Sequence, residues 1–333
     1  MLGESIALLV AVLWTTGAIF GELASKRLGA LPLNVIRMVL TLLMLGLALW
    51  FMVGHPYPYL ADSETWFWLS LSGLMGFGFG DYCLFNSYML IGSRFSQLFM
   101  TLAAPFAAIT AWLLLGEHMT WLGLLGMMIT LTGIGMSILG KEQGGKERHV
   151  SSSDACVGCR NKKTEAEKGK GHIAVKLPLH GVIFGIGAAL GQGVGLVLSK
   201  VGLEHYTASV PLQDGMSALM YPVGGTMIRA LTGLGCFLLL LFIKKKVGQL
   251  KSAVHDGRGM NFAFWATLLG PAVGVSLSLL AVQHTSTGVA QTLMSLTPVL
   301  IIWPSYLIFK SKVTAQEVFG ATIAVCGAIL FFI

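Results

Sequence analysis

Apolar residues in this chain come in continuous runs of span length, separated by short polar or glycine- and proline-containing turns. The runs fall at 4–25, 32–53, 66–89, 93–115, 120–139, 178–200, 218–243, 261–283, 287–309 and 314–333. A helix needs roughly 20 apolar residues to cross a bilayer. Continuous rather than alternating hydrophobicity, with few polar lumen positions, predicts helices and not barrel strands. The expected fold class is an all-α membrane protein with ten transmembrane helices. The first run is full length, lacks a basic lead-in and is followed by further runs, so it reads as a span and not as a cleavable signal.

The ten runs divide into two similar blocks. Pro105 in LAAP lies 193 residues before Pro298 in SLTP. Gly126 and Gly133 lie 194 residues before Gly320 and Gly327, and Arg37 lies 192 before Arg229. Nearly equal offsets predict duplication of a five-span unit. An odd number of spans puts the second copy upside down, giving two inverted five-helix repeats, the arrangement that exposes a midplane site to each side in turn. The expected division is residues 1–139, a flexible basic loop at 140–176, and residues 177–333.

Composition agrees with a membrane assignment. The chain is 55% hydrophobic, 11% charged, and has a mean hydropathy of +0.76, against roughly 25% charged residues in soluble domains. Lys and Arg concentrate in alternate loops: Lys26 and Arg27, Arg94, the 140–176 stretch, Lys244 to Arg258, and Lys310 with Lys312. The positive-inside rule places those loops in the cytoplasm and both termini outside. The net charge of +7 then marks contact with the anionic cytoplasmic leaflet. The loops lack the interleaved aromatics of a nucleic-acid surface, and no nucleic-acid partner is expected.

The 140–176 stretch is rich in Gly, Ser, Lys and Glu and cannot bury a core. Within it, Cys156 and Cys159 have His149 and His172 nearby, a weak candidate for a metal site because a structural zinc normally takes four ligands on a compact loop. Free thiols in a reducing compartment are the alternative. No cofactor is expected.

Charged residues within spans are costly, roughly 2.5–3.5 kcal/mol at a helix centre on insertion scales, and point to function. They are Glu22, Arg37, Asp81, Lys200 and Arg229. Glu22 and Arg37 lie at similar depth and could pair across the first hairpin; Glu22 and Lys26 are also spaced i, i+4. Asp81, in GFGFGD, lies deeper. It is either a carrier of a proton or cation, or half of a fixed ion pair with Arg37. Trp14, Tyr82, Asn86, Gln97, Thr101, Gln192, Tyr221 and Gln291 are candidates to line a cavity. For each taken singly, interhelical hydrogen bonding is the plainer role. Pro105 and Pro298 are candidate hinges, each removing a backbone hydrogen bond; Thr101 and Thr297 could satisfy the freed carbonyls. Glycine ridges, densest in the sixth span, allow close packing and sliding.

The opening SIALLVAVLWTTGAIFGELASKRLGALPLNVIR and the segment SRFSQLFMTLAAPFAAITAWLLLGEHMTWLGLLGMMITLTGIGMSIL together resemble an EamA repeat of the drug/metabolite transporter superfamily. The second block resembles it more loosely: Gly191 stands in place of Trp, and Phe-Lys310 in place of Gly-Glu. The resemblance implies a secondary transporter with a central cavity between inverted repeats, moving small metabolites, amino acids or drugs, often outward. Several relatives have cytoplasmic termini, opposite to the charge pattern here.

An intramembrane enzyme would need facing acids, an HExxH pair or a GxSxG elbow, and none occurs in the right context. A channel would need a filter-like loop or ring of acids. The expectation is a non-enzymatic carrier whose two halves rock about the fourth and ninth spans, with a cavity walled by spans 1, 3, 4, 6, 8 and 9. Its partners would be a small-molecule substrate, a coupling proton or other ion, and the lipid bilayer of the cell membrane.

Overall fold

The computed structural model describes residues 2–58, 61–139, 178–210, 217–300 and 315–330, and every regular element among them is helical. Helix α1 (Leu2–Leu28) and α2 (Ala30–Val53) are separated by Gly29, whose φ of 82° suits a residue without a Cβ. Asp62 caps α3 (Ser63–Gly73) by accepting from the Thr65 amide at 3.0 Å. A π-helical segment, Leu74–Asp81, leads into α4 (Tyr82–Met100), which Gly92 (φ 78°, ψ 164°) divides into two pieces. That glycine supplies the turn between the expected third and fourth runs. Then come α5 (Ala103–Leu115) and α6 (Trp121–Leu139).

The second block begins with α7 (Leu179–Ser209) and α8 (Met220–Ile243). A short α9 (Val247–His255) precedes α10 (Gly257–Thr267), a second π segment (Leu268–Ala272) and α11 (Gly274–His284). Pro271 lacks the N–H an α-ladder would use, and Val273 donates to the Leu268 carbonyl five residues back at 3.0 Å. The chain ends with α12 (Thr287–Met294), α13 (Thr297–Leu300) and α14 (Ala315–Ile329).

Among the described residues, six helices are long and apolar enough to cross a membrane: Leu2–Leu28, Ala30–Val53, Phe95–Leu115, Leu179–Ser209, Met220–Ile243 and Gly257–His284. They coincide with the runs expected at 4–25, 32–53, 93–115, 178–200, 218–243 and 261–283. The helix at 179–209 outlasts its expected run by nine residues. Large apolar side chains face outward, including Phe51 at 84% and Trp121 at 79% exposure, while serines, threonines and the ionised groups of the centre turn inward. Such a surface needs an apolar surrounding.

Contacts tie the two blocks together more than they tie each to itself. Helix α1 packs on α10, α11 and α12, and α7 packs on α3, the first π segment, α4 and α5. Helices α2 and α8 form one long contact, and α6 and α14 another. Glycines make these approaches possible. A Cβ at Gly191 would lie 2.7 Å from Gly80 Cα, and one at Gly195 would lie 2.9 Å from Gly76 Cα. The α7 ridge therefore joins α7 tightly to the third span.

In the α6–α14 contact, a Cβ at Gly133 would lie 2.7 Å from the Gly320 carbonyl oxygen and 2.8 Å from Ala324 Cα, whereas Gly135 has open space. Gly133→Ala should lower the stability of the detergent-purified protein by about 1–3 kcal/mol, read as a lower melting temperature. Gly135→Ala should leave it unchanged.

Candidate functional site

Arg37, in the second turn of α2, and Asp81, at the end of the first π segment, meet at the centre of the bundle. Arg37 Nη1 donates to Asp81 Oδ2 at 3.0 Å and also to Asn34 Oδ1 at 3.2 Å. The second carboxylate oxygen, Oδ1, accepts from Gln192 Nε2 at 2.8 Å, and the same amide reaches the Gly76 carbonyl at 3.3 Å. The Arg37 guanidinium lies 4.4 Å above the Phe85 ring. Arg37 is 6% exposed and Asp81 4%. Two opposite charges so deep satisfy each other, and removing either leaves the partner uncompensated. The Arg37–Asp81 pairing raised by the sequence is present; the Glu22–Arg37 pairing is not. Glu22 accepts from Lys26 Nζ at 2.5 Å and from the backbone amide and hydroxyl of Ser93, so it caps the helix that follows Gly92.

A second buried arginine stands on α8. Arg229 is 2% exposed, its Cζ lies 4.9 Å over the Phe77 ring, and its Nε and Nη1 have no acceptor among the described residues. Its Nη2 approaches Gly76, lying 2.8 Å from where a Cβ of that residue would sit; Arg37 Nη2 approaches Gly270 likewise at 3.4 Å. Each arginine thus faces a glycine of a π segment in the other block.

Beside the ion pair is a cavity of about 90 Å³ lined by Trp14, Arg37, Phe77, Asp81, Phe85, Tyr88, Gln97, Met100, Gln192, Gly270 and Pro271, among others. Gln97 Nε2 donates to the Tyr88 hydroxyl at 2.7 Å. Of the sequence candidates, Trp14, Arg37, Asp81, Gln97 and Gln192 come together here. Tyr82 and Asn86 do not; they lie on the other side of the same helix. Thr101 is buried at the break between α4 and α5, and Gln291 is buried on α12; neither lines this cavity, so among the described residues the wall comes from spans 1, 2, 3, 4, 6 and 8 and not from span 9. Tyr221 donates to the Val210 carbonyl at 2.5 Å, away from the site. Phe77, Phe85 and Tyr88 were missed. Their spacing about Asp81 (−4, +4, +7) puts all of them on its helix face, a signal the sequence contained.

Tyr82 and Asn86 line a larger cavity, about 530 Å³, with Arg27, Lys244, Lys246, Gln249, Ser252 and Asp256. Lys244 Nζ donates to the Tyr82 hydroxyl at 2.5 Å. Arg27 holds Asp256 with two bonds, 2.8 and 3.0 Å. The Arg27 guanidinium, helped by the Gly259 amide, keeps the Asp256 carboxyl below its ordinary range. The basic loops after spans 1 and 7 therefore share one face of the molecule. At the opposite end, Lys200 meets Glu117 Oε1 at 2.5 Å and the Thr285 carbonyl at 3.2 Å, and Glu117 Oε2 accepts from the Thr287 amide at 2.9 Å.

The family model of the EamA-like transporter family matches residues 1–139 and 179–333. The chain belongs to the EamA-like transporter family. Its many apolar helices make it a multi-pass membrane protein. A solved chain described as "Crystal structure of protein" shares 14% identity with a TM-score of 0.59, covering 99% of this chain and 95% of that one, which shows a common fold. Comparison with curated proteins gives no match.

In this EamA-like protein the helix interruptions fall just before the two prolines. The turn between α4 and α5 is at Thr101–Leu102, ahead of Pro105, and that between α12 and α13 is at Ser295–Leu296, ahead of Pro298. The carbonyl that Pro105 would free, that of Thr101, accepts from the Ala104 amide at 3.2 Å, while the Thr101 hydroxyl donates to Leu98. The tight turn, and not the hydroxyl, satisfies it. Cys156 and Cys159 lie outside the described residues. Among the described residues no group of three or more His, Cys, Asp or Glu side chains could hold a metal.

Arg37→Gln should cost about 3–5 kcal/mol by leaving Asp81 unpaired, read as lost folded yield. The double variant Arg37→Met with Asp81→Leu should recover much of that loss. Because the Asp256 pKa is depressed in the folded state, its contribution is present above the unfolded value of about 3.9 and is lost as pH falls through the lower folded value. The melting-temperature gap between the wild type and Asp256→Asn should therefore be full at neutral pH, close below about pH 4, and shrink in high salt.

Proposed function

We propose that this chain is a secondary active transporter of the cell membrane that moves a small metabolite, amino acid or drug-like molecule by alternating access, in the outward direction. It does so as ten spans in two inverted five-helix repeats, residues 1–139 and 177–333, with 140–176 as the basic cytoplasmic connection. The observation that carries this reading is a buried acid–base pair lining a cavity whose wall is drawn from both blocks. Support for inverted repeats comes from reciprocal contacts: α1 meets α10 and α11 as α7 meets α3 and α4, while α2–α8 and α6–α14 each pair equivalent helices.

Those contacts refine the moving parts. They favour two mixed bodies, and not the sequence halves, as the units that shift. One is α1 with α10, α11 and α12; the other is α7 with α3, α4 and α5. The ion-pair cavity lies on the seam between them, and α2–α8 and α6–α14 flank it. The glycine ridge of α7 makes its own body rigid and so does not serve as a sliding surface. On the basic face lies the 530 Å³ cavity. On the opposite face the Lys200–Glu117 group closes the seam onto Thr285 and Thr287. Asp81 takes up a proton during the cycle, with Arg37, Arg229, Gln192 and Tyr88 around it setting when it does so.

Purified protein in liposomes should accumulate at least one member of a metabolite panel in counterflow, an outcome that a channel or an enzyme does not give. Asp81→Asn leaves Arg37 without its counter-charge and should lower folded yield, and the molecules that do fold should lose the dependence on a pH gradient; unchanged transport with an unchanged pH response would remove the proton from the mechanism. Thiol labelling of cysteines placed at 26 and 244 should find both on the cytoplasmic face; labelling on opposite faces would overturn the topology.

A further inference from the structure

The buried charges of this chain do not balance. Among the described residues, the ionised side chains that are buried are Arg37, Asp81 and Arg229, two cations against one anion. The Arg37–Asp81 pair is neutral as a unit, so Arg229, 2% exposed on its helix, is the excess charge among them. The hydrogen-bond account leans the same way. Asn34 Nδ2, Arg37 Nε, Arg229 Nε and Arg229 Nη1 are all buried donors without an acceptor. Buried donors in folded proteins are nearly always met, and here the missing partner is an acceptor each time.

We infer that the central cavity takes the carboxylate head of an organic anion, with Arg229 as the residue that selects for negative charge. This deepens the carrier reading and rests on it for the word substrate. Arg229 acts from one layer behind the wall. Its Nη2 faces Gly76, where no side chain intervenes, and Gln192, which bonds the Gly76 carbonyl, lines the cavity. The aromatic wall of Trp14, Phe77, Phe85 and Tyr88 suits an apolar body beside the head group. The volume of about 90 Å³ equals roughly three waters at about 30 Å³ each, which admits a carboxylate with a short alkyl or similar body. The larger cavity on the basic face brings Arg27, Lys244 and Lys246 against the single acid Asp256, and an excess of one sign at that face raises the local concentration of an anion there.

The test uses the full-length protein in nanodiscs at constant ionic strength, with propionate and its neutral isostere propionamide as probes. Propionate should raise the melting temperature saturably, and propionamide should not. Arg229→Gln should weaken the propionate response at least tenfold, Arg229→Lys should restore part of it, and the exposed Arg258→Gln should leave it unchanged. Gly76→Ala, which pushes against Arg229 Nη2 without altering its charge, should weaken the response as well and covers the case in which Arg229→Gln does not fold. Equal responses to acid and amide, no response to either, a response that survives Arg229→Gln, or the same response to chloride would each overturn the assignment. Counterflow with matched acids, amides and amines separates this inference from the carrier reading. Accumulation of amides or amines but no acids keeps the carrier and rejects the anion. Saturable propionate stabilisation that depends on Arg229, with no accumulation of any kind, keeps the anion site and rejects the carrier.

Discussion

A guanidinium and a carboxylate held 3.0 Å apart inside an apolar bundle constrain nearly everything around them. Neither group can be left alone there, because a charge at a helix centre costs several kcal/mol unless it is matched. The second span must therefore keep its Arg37 turn against the π segment of the third, and Gln192 of α7 must stay close enough to fill the remaining oxygen of Asp81. Three helices from two blocks are fixed by three polar side chains. The aromatic residues one turn either side of Asp81 then form the wall of the cavity, since they share its helix face.

The π segments are the backbone counterpart of this arrangement. Glycine at 76, 78 and 80 loosens the third span where α7 and Arg229 come closest, and Pro271 does the same in the eighth where Arg37 approaches Gly270. A regular α-helix carrying side chains at Gly76 and Gly270 would push the two arginines away from the seam. The small residues that read as generic packing in the sequence are, at these positions, what lets charge reach the centre. Elsewhere on α7 they join helices into one body. The contacts of α1 and of α7 each join helices of both blocks, and the pairs α2–α8 and α6–α14 do so as well.

Much of the architecture was legible because hydrophobic run length is a direct physical demand of the bilayer. Six of the expected runs coincide with helices long and apolar enough to cross. The turn at Gly92 and the breaks ahead of Pro105 and Pro298 lie where glycine and proline chemistry puts them. The loop charges likewise predicted that Arg27 and Lys244 would share a face, as they do around the larger cavity. The nearly equal offsets of Pro105, Gly126 and Gly133 from their partners carried the expectation of a duplication, which rests on sequence alone.

What the sequence could not hold is which of several polar residues converge. Trp14, Gln97 and Gln192 reach the cavity, but Gln291, which lies upstream of Pro298 as Gln97 lies upstream of Pro105 but not at a strictly equivalent position, does not; a shift of one residue along a helix turns a side chain by about 100°. Glu22 looked as good a partner for Arg37 as Asp81 did, since depth along a helix is readable and azimuth is not. Tertiary packing decided between them by sending Glu22 to the amide of Ser93, a backbone donor exposed only because the chain turns at Gly92. The sequence by itself determined the helices, their number of apolar residues and the side on which their loops carry charge, all consequences of local composition. Only the folded bundle decided that Asp81 bonds to one buried arginine and not to the second, because that choice depends on the relative rotation of helices far apart in the chain.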